Sequence, residues 1–261
     1  MKHGLQYTGP NDTCESAEHV AGMADGIFTV TSAAKRRSQI GGARTAPAAA
    51  AGEKVVLAFP TPMYKFVWPD SDSVNKALLR IVLEREKTAP STARSNVGGW
   101  QSSHDLLNWP EPPIQVLKTW VNDAFGEIMK AVAGPQPFTC NLSVTAWANL
   151  NRHGNYNRSH THSGNHWSGV YYAEPGEEVE GHPLSGAIEF IDPRPAVNVF
   201  DIPGLHQVST WTIRPEAGMM ILFPSWLRHG VLPYEGTKER LTIAFNIRIN
   251  ELKSQPPGPG I

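Results

Sequence analysis

The sequence has almost no excess charge and very little cysteine. It contains 24 acidic residues (Asp and Glu) and 23 basic residues (Lys and Arg), so its formal net charge is −1. A protein that mainly binds a nucleic-acid duplex carries a clear basic excess, so we expect no nucleic-acid partner. Cys14 and Cys140 form neither a disulfide framework nor a CxxC pair. We therefore expect a reducing, cytoplasmic setting.

Long apolar runs are also missing. No stretch approaches the 18 apolar residues that predict a membrane span, and the N-terminus has no basic segment followed by an apolar run that would indicate a secretory signal. We therefore expect no membrane partner. Proline, glycine and tryptophan, in contrast, are plentiful, with 22, 23 and 8 residues. This composition favours many short elements joined by turns.

The order of patterns along the chain predicts one domain with two flexible ends. Residues 1–52 include the basic run Lys35-Arg36-Arg37 but have no apolar period, so we expect a disordered or weakly ordered tail. The single domain is predicted at residues 53–250, with helical support at 70–135 and a β core at 138–250. Residues 251–261 are predicted to be a flexible C-terminus.

Two amphipathic helices are expected in the supporting region. Apolar residues recur at helical spacing over residues 73–88, behind Ser73 as the predicted N-cap, and again over residues 113–131 after a proline cluster. From Phe138 onward the pattern changes to short runs rich in β-branched and aromatic residues. Seven or eight such runs without a helical pattern predict a mainly β fold, a closed two-sheet jelly roll or barrel with flanking N-terminal helices.

Histidines cluster near the start of the β region. Residues 158–167, RSHTHSGNHW, contain three of the ten histidines in the chain. His160 and His162 stand two apart at the entrance of a predicted strand, where alternate side chains point to the same side. His229 follows a strongly apolar strand and is the candidate third ligand. Imidazoles suit iron, zinc, copper or nickel, and three protein ligands with open positions are typical of a catalytic metal site.

A basic residue follows this cluster on a later predicted strand. Arg240 and Thr242, in RLTIAFNIRI, share one face of that strand. A guanidinium beside a hydroxyl can hold a carboxylate. The sequence therefore predicts a metal with open positions and a carboxylate-binding pair deeper in the barrel.

Four segments together resemble one enzyme superfamily. NHWSGVYYAEPG, GAIEFIDPRP, GMMILFPSWLRHGV and ERLTIAFNIR are similar to the iron(II)/2-oxoglutarate-dependent oxygenases, and more narrowly to their bacterial and phage branch of undefined substrate. The resemblance runs from about Val55 to Ile249, because FPTPMY and SNVGGWQSS also recur in that branch.

The resemblance implies a fold, cofactors and ligand roles. It implies a cupin-like double-stranded β-helix that uses Fe(II), 2-oxoglutarate and O2. His160 and His229 match two iron ligands of the family, and Arg240 with Thr242 matches its 2-oxoglutarate anchor. The chain departs from the family at the other ligand, because His162 stands where the family has Asp or Glu. Asp192 remains the alternative source of that carboxylate.

Further residues are expected around this site. Tyr172 and Asn149 are candidates for binding 2-oxoglutarate, although core packing and a turn role, respectively, are equally compatible with their positions. Trp100, Gln101 and Ser102 are expected in a loop over the site that contacts substrate. His166 is expected at the mouth, where it would also contact substrate, outside the metal ligands. We expect His153, His182 and His206 to be ordinary structural or surface residues.

Three functions remain open from the sequence. The first is an oxygenase that oxidises a C–H bond of a small-molecule or peptide substrate and releases succinate and CO2. The second is a cupin-type dioxygenase or isomerase with three histidine ligands and no 2-oxoglutarate. The third is a jelly-roll binding module without catalysis. A homodimer also remains open.

Overall fold

Strands dominate the second half of the chain, as the change of pattern at Phe138 predicts. The computed structural model describes residues 27–32, 59–92, 94–133, 138–194 and 209–254. In the first half, the elements are β1 (Ile27–Ser32), β2 (Tyr64–Val67), α1 (Asp72–Thr88), β3 (Asn96–Val97), β4 (Trp100–Gln101), a 3-10 helix (Leu106–Asn108) and α2 (Pro112–Ala133). The second half contains β5 (Phe138–Asn151), β6 (Tyr156–His160), β7 (Trp167–Glu174), β8 (Ile188–Ile191), β9 (Thr210–Ile213), β10 (Met219–Pro224), β11 (His229–Val231) and β12 (Arg240–Ser254).

The described strands form two antiparallel sheets. The larger sheet has the order β1-β5-β12-β7-β10-β2, with β4 paired to one end of β5, and the smaller sheet has the order β3-β6-β11-β8-β9. Strands that follow one another in the chain alternate between the sheets from β6 to β8 and again from β9 to β12. This is the double-stranded β-helix arrangement, so the predicted fold class is confirmed.

Side-chain alternation gives the larger sheet two different faces. On β12, Leu241, Ile243 and Phe245 are buried in the same apolar cluster as residues of both helices, whereas Arg240 and Thr242 lie on the opposite face. A second cluster, which includes Phe190 of the smaller sheet and Phe223 of the larger one, fills the space between the sheets. The polar residues of the site therefore project into the space between the sheets.

The two helices cover the outer face of the larger sheet, as expected for supporting elements. Their bounds agree closely with the predicted 73–88 and 113–131, but the Ser73 N-cap prediction is wrong. Ser71 occupies the cap position and is buried, and its Oγ accepts a hydrogen bond of 3.3 Å from Asn75 Nδ2. The helix begins earlier because a turn after β2, with Asp70 at positive φ, delivers the chain directly to Ser71. Within the described ranges, neither helix has the length and apolarity needed to cross a bilayer.

Both predicted flexible ends contain strand residues. Residues 27–32, inside the predicted tail, form β1 and pair antiparallel with β5. Residues 251–254, inside the predicted flexible C-terminus, continue β12 and also pair with β5. Backbone pairing along the long β5 supplies order that apolar periodicity in these segments does not predict. Residues 1–26, 33–58 and 255–261, where the other parts of these predictions fall, lie outside the described residues.

Candidate functional site

Three histidines converge between the two sheets. The ligand nitrogens of His160, His162 and His229 all lie within 4.8 Å of one another. The Nε2 atoms of His162 and His229 are 3.3 Å apart. Among the described residues, no other histidine, cysteine, aspartate or glutamate belongs to this group. The structure therefore brings together the three residues that the sequence selects as metal ligands.

Strand pairing, more than alternation along one strand, produces this convergence. β11 pairs with β6 so that His229 lies directly opposite His160. His160 is the last residue of β6, and His162 lies in the loop that follows. The backbone N–H of His162 donates to Ser225 O at 2.9 Å, which holds that loop beside the end of β10. The expectation that His160 and His162 share a face at the entrance of one strand is therefore wrong, although the two rings do meet.

A β-bulge in β6 brings a further polar residue into the site. His229 pairs with His160, but Val231, two residues later, pairs with Asn157, three residues earlier. The extra residue in β6 lets Asn157 and His160 both line the pocket, which regular alternation would forbid. Gly230 lies against this bulge, and a Cβ there would come within 3.2 Å of Asn157 O. Such a bulge has no signal in the sequence, and Asn157 was missed for that reason.

Burial keeps the three imidazoles neutral. It lowers the pKa of His162 to about 4 and that of His229 to about 3, and it also lowers the pKa of His160. The neighbouring histidines lower the pKa values of His162 and His229 further, because two positive rings at this spacing would repel each other. Near pH 7 each ring therefore has a lone pair to offer a cation.

Hydrogen bonds orient two of the rings for metal binding. His229 Nδ1 donates to Leu227 O at 2.9 Å, and His160 Nδ1 donates to Arg158 O at 2.6 Å. Each bond leaves Nε2 as the free nitrogen, which is how metal-binding histidines are usually fixed. Two nitrogens that each lie about 2.1 Å from one metal ion are roughly 3.0–3.4 Å apart. The 3.3 Å between His162 and His229 fits that requirement, so the donor set suits a divalent transition metal.

The floor of the same pocket contains a buried cation. Arg240 is only 1% exposed, and its Nη2 donates to Gly186 O at 2.9 Å. Its guanidinium carbon lies 5.6 Å from the centre of the Tyr172 ring. No Asp or Glu lines this pocket or pairs with Arg240 among the described residues. Burial lowers the pKa of Arg240, because the charged form is less favourable away from water.

Three polar side chains form a row beside Arg240. Thr242 on β12 pairs with Asn149 on β5 and with Tyr172 on β7, so the three lie side by side, and all are buried. The Tyr172 hydroxyl, the Arg240 Nε and the Asn149 Oδ1 have no hydrogen-bond partner within the described part of the chain. Buried polar atoms are rarely left unpaired in a protein interior unless a ligand or water completes them. The donors among them fit a carboxylate. All four residues predicted to bind 2-oxoglutarate line the same pocket as the three histidines.

Asp192 and His166, which the sequence also offers as site residues, lie away from the three-histidine group. Asp192 accepts hydrogen bonds from Arg194, the shortest of them 2.6 Å, and does not belong to the histidine group. His166 Nδ1 accepts the backbone N–H of Ile249 at 3.1 Å, and the ring does not line the pocket. The geometry thus favours His162 over Asp192 as the third member of the histidine group. His166 instead binds the backbone of β12.

Trp100, Gln101 and Ser102 are packed residues and form no loop over the site. They belong to or follow β4, and each is less than 10% exposed. Trp100 Nε1 donates to Ala89 O at 2.9 Å, and Ser102 Oγ accepts Ala148 N–H at 3.0 Å. None of the three lines the pocket. The pairing of β4 with the end of β5 explains this placement, and the two short strands give little sequence signal.

A stacked pair takes the position that the sequence assigns to that loop. His104 stacks on Trp147 with ring centroids 4.5 Å apart, and Trp147 lies 6.0 Å from His162. Gln101 Nε2 is 3.3 Å from His104 Nε2, so the side chain of Gln101 contacts this stacked pair. Trp147 stands two residues before Asn149 on β5, and alternation along that strand could have placed it at the site.

Comparison with known proteins agrees with this geometry. Residues 145–246 match a family described as "Putative 2OG-Fe(II) oxygenase". The matched segment contains all three histidines and the four residues predicted to bind 2-oxoglutarate. No curated protein matches the chain.

Solved structures with a similar fold are distant in sequence. AviO1 from Streptomyces viridochromogenes is 15% identical with a TM-score of 0.50, over 76% of this chain and 93% of that one. The non-heme alpha-ketoglutarate-dependent epimerase SnoN from nogalamycin biosynthesis is 13% identical with a TM-score of 0.51, over 76% of this chain and 84% of that one. The carbocyclase SnoK from the same biosynthesis is 10% identical, with the same TM-score and coverage. Residues 145–246 are therefore similar to the 2OG-Fe(II) oxygenases, and the double-stranded β-helix brings the three histidines and Arg240 of this segment into one pocket.

Proposed function

We propose that this domain binds iron(II) through His160, His162 and His229 and 2-oxoglutarate through Arg240, and that it oxidises a small-molecule or peptide substrate. The observation that carries the proposal is the buried guanidinium of Arg240, which has no acidic partner among the residues that the structure describes and which lines the same pocket as the three histidines. An unpaired buried charge is costly, so its retention indicates a ligand of opposite charge.

The histidines supply the metal half of the site. The three neutral imidazoles would hold the metal ion and leave its other coordination positions to exogenous ligands. His162 replaces the carboxylate found in the family, so the protein itself contributes no negative charge to the metal. Phe223 packs edge-on against His229 at 4.6 Å between ring centroids, which fixes that ring and excludes water from one side.

The anchor half holds the far carboxylate of the cosubstrate. Arg240 offers Nε and further N–H groups in a planar fork, and the hydrogen bond to Gly186 O together with the Tyr172 ring fixes the orientation of that fork. Thr242 and Tyr172 add hydroxyl donors, and Asn149 completes the row. These contacts direct the other end of the dicarboxylate toward the histidines.

Bound iron(II) with 2-oxoglutarate and O2 supplies the oxidation of a C–H bond, with release of succinate and CO2. The protein residues bind, orient and desolvate the reactants. A cytoplasmic setting and a homodimer remain predictions, the first resting on the cysteine content alone.

The test is an anaerobic titration of the iron-loaded protein with 2-oxoglutarate, followed by the metal-to-ligand charge-transfer absorption. We expect Arg240→Gln to weaken binding about 30-fold or more while iron stays bound, because truncating one partner of a buried charge pair costs at least about 2 kcal/mol. Arg248→Gln is the matched control, since Arg248 lies on the same strand but is exposed.

If the iron-loaded wild type shows no charge-transfer band on addition of 2-oxoglutarate, the 2-oxoglutarate assignment is wrong. The three-histidine cupin reading would then replace it if iron still binds stoichiometrically. The binding-module reading would replace both if no iron binds after anaerobic reconstitution.

A further inference from the structure

The ring of His162 is held differently from the rings of the other two histidines. The Nδ1 atoms of His160 and His229 each donate to a backbone carbonyl oxygen, at 2.6 Å and 2.9 Å. Within the described ranges, the one hydrogen-bond contact of the His162 ring is the 3.3 Å between its Nε2 and that of His229. The bond to Ser225 O fixes the backbone of His162 but leaves its ring free to rotate about the Cβ–Cγ bond. A contact other than a hydrogen bond therefore has to orient this ring.

Trp147 makes such a contact. Its ring centroid lies 6.0 Å from that of His162, with 47° between the ring planes, which is within the range of favourable aromatic pairs. Apart from the two other histidines, Trp147 is the one aromatic residue in the described part of the chain that packs on the His162 ring. Alternation along β5 places Trp147 on the same face as Asn149, and both line the pocket.

The packing of Trp147 differs from that of the other buried tryptophans. Trp100, Trp109 and Trp167 all belong to the apolar cluster that includes residues of both helices. Trp147 is 7% exposed, yet it belongs to neither apolar cluster. Its large ring is therefore buried against residues of the site and not against the apolar core.

A stacked histidine in turn restricts Trp147. The His104 ring centroid lies 4.5 Å from that of Trp147, with 26° between the ring planes. His104 itself is exposed, but its Nε2 is 3.3 Å from Nε2 of Gln101, a side chain that is only 2% exposed. Burial fixes Gln101, so this contact limits the movement of His104. The contacts thus run from Gln101 through His104 and Trp147 to His162.

We propose that Trp147, backed by His104, is a positioning residue that orients the His162 ring for metal binding. Its packing takes the place of the hydrogen bond that orients each of the other two rings. Rotation of an imidazole changes the direction of Nε2, so a fixed rotation keeps this nitrogen within reach of the metal. The inference rests on the proposed function and adds to it a residue that acts through a ligand.

The experiment uses cobalt(II) as the probe, because it reports both the affinity of the site and the surroundings of each bound ring. Competition with a chelator measures the dissociation constant, and proton NMR of the cobalt protein resolves the shifted imidazole signals. The ring N–H of His162 should exchange fastest with water, because it has no acceptor among the described residues. The variants are Trp147→Leu, Trp147→Phe and His104→Ala. Trp120→Leu is the matched control, because Trp120 stacks on Trp68 at 5.2 Å and does not line the pocket.

We expect Trp147→Leu to weaken cobalt binding about threefold to tenfold, the range for one aromatic pair, and to shift the signals of the fast-exchanging imidazole. Trp147→Phe keeps a ring and should restore most of the affinity. His104→Ala should have a smaller effect in the same direction, and it changes an exposed residue, so it tests the inference even if Trp147→Leu does not fold. Trp120→Leu should lower the thermal midpoint but leave the cobalt affinity and the imidazole signals as in the wild type.

Unchanged affinity and unchanged signals in Trp147→Leu, or in His104→Ala if the first variant does not fold, would overturn the inference. An equal loss of affinity in Trp120→Leu would also overturn it, because the loss of any stacked ring would then loosen the site. Failure of the proposed function has a different signature. The cobalt absorption spectrum would then not change on addition of 2-oxoglutarate, whereas Trp147→Leu would still shift the signals of the bound imidazole.

Discussion

Arg240→Met should stabilise the ligand-free protein while it abolishes 2-oxoglutarate binding. In the ligand-free state the guanidinium is 1% exposed, and the bond to Gly186 O is its one hydrogen bond among the described residues, with Nε unpaired. Replacing a buried ion pair by apolar side chains of similar volume can stabilise a protein by about 1–4 kcal/mol, and we expect a gain in this range for a buried charge that has no counter-ion. Loss of the bond to Gly186 offsets about 1 kcal/mol of that gain. We therefore expect a net stabilisation of roughly 0–3 kcal/mol.

The ligand-bound state should reverse this order. A ligand present at 100 times its dissociation constant stabilises the folded state by about 2.7 kcal/mol. The wild-type protein should gain this amount with metal and 2-oxoglutarate, whereas Arg240→Met should gain only what the metal provides. The effect of Arg240→Met on the free energy of unfolding should therefore change from stabilising without ligand to destabilising with metal and 2-oxoglutarate.

Urea denaturation of the metal-free and the zinc- and 2-oxoglutarate-loaded proteins measures both quantities. Arg248→Met is the control, because Arg248 is exposed on the same strand and should change neither. If Arg240→Met destabilises the metal-free protein by several kcal/mol, Arg240 is a structural residue with a satisfied charge, and the reasoning fails.

Three further predictions concern the metal, the hydroxyl row and the sheet. Most of the bound iron should be lost in each of the variants His160→Ala, His162→Ala and His229→Ala, whereas His166→Ala and Asp192→Asn should retain it. Elemental analysis measures the iron content. Iron loss in Asp192→Asn would identify Asp192 as the third ligand in place of His162. Thr242→Val should weaken 2-oxoglutarate binding by about 1.5 kcal/mol, near one hydrogen bond to a charged group, and Tyr172→Phe by a similar amount; calorimetric titrations with unchanged affinities would exclude these hydroxyls from the anchor. Gly169→Ala should lower stability by about 1–3 kcal/mol, because its Cβ would lie 2.2 Å from Phe245 Cζ and 2.9 Å from Ile221 O. A thermal midpoint equal to that of wild type would contradict this.

Alternation along strands and helical spacing of apolar residues predicted the two faces of β12 and the positions of both helices. Alternation along β12 places Arg240 and Thr242 on one face and the apolar residues on the other, and the structure shows both faces. Helical spacing similarly located α1 and α2 to within about two residues at each end. Such patterns are visible in the sequence because burial on one face selects them.

Features that depend on pairing between distant strands could not be predicted in this way. The sequence of residues 27–32 does not predict their pairing with β5. The sequence of β4 likewise does not predict its pairing with the other end of that strand. The bulge that turns Asn157 inward depends on the register between β6 and β11. Register is set by the whole sheet and by the turns, so single-segment patterns do not specify it.

The bulge in β6 separates two tasks that share one short strand. His160 stays opposite His229 because their pairing lies on one side of the extra residue, and Asn157 lies on the other side. A side chain at position 157 can therefore vary in size or polarity without shifting the cross-strand histidine pair. Gly230, which leaves room for the bulge backbone, protects this arrangement on the neighbouring strand. The strand thus holds His160 fixed opposite His229 and leaves position 157, which lines the same pocket, free to change, so the shape of the pocket can diverge while the three histidines remain in place.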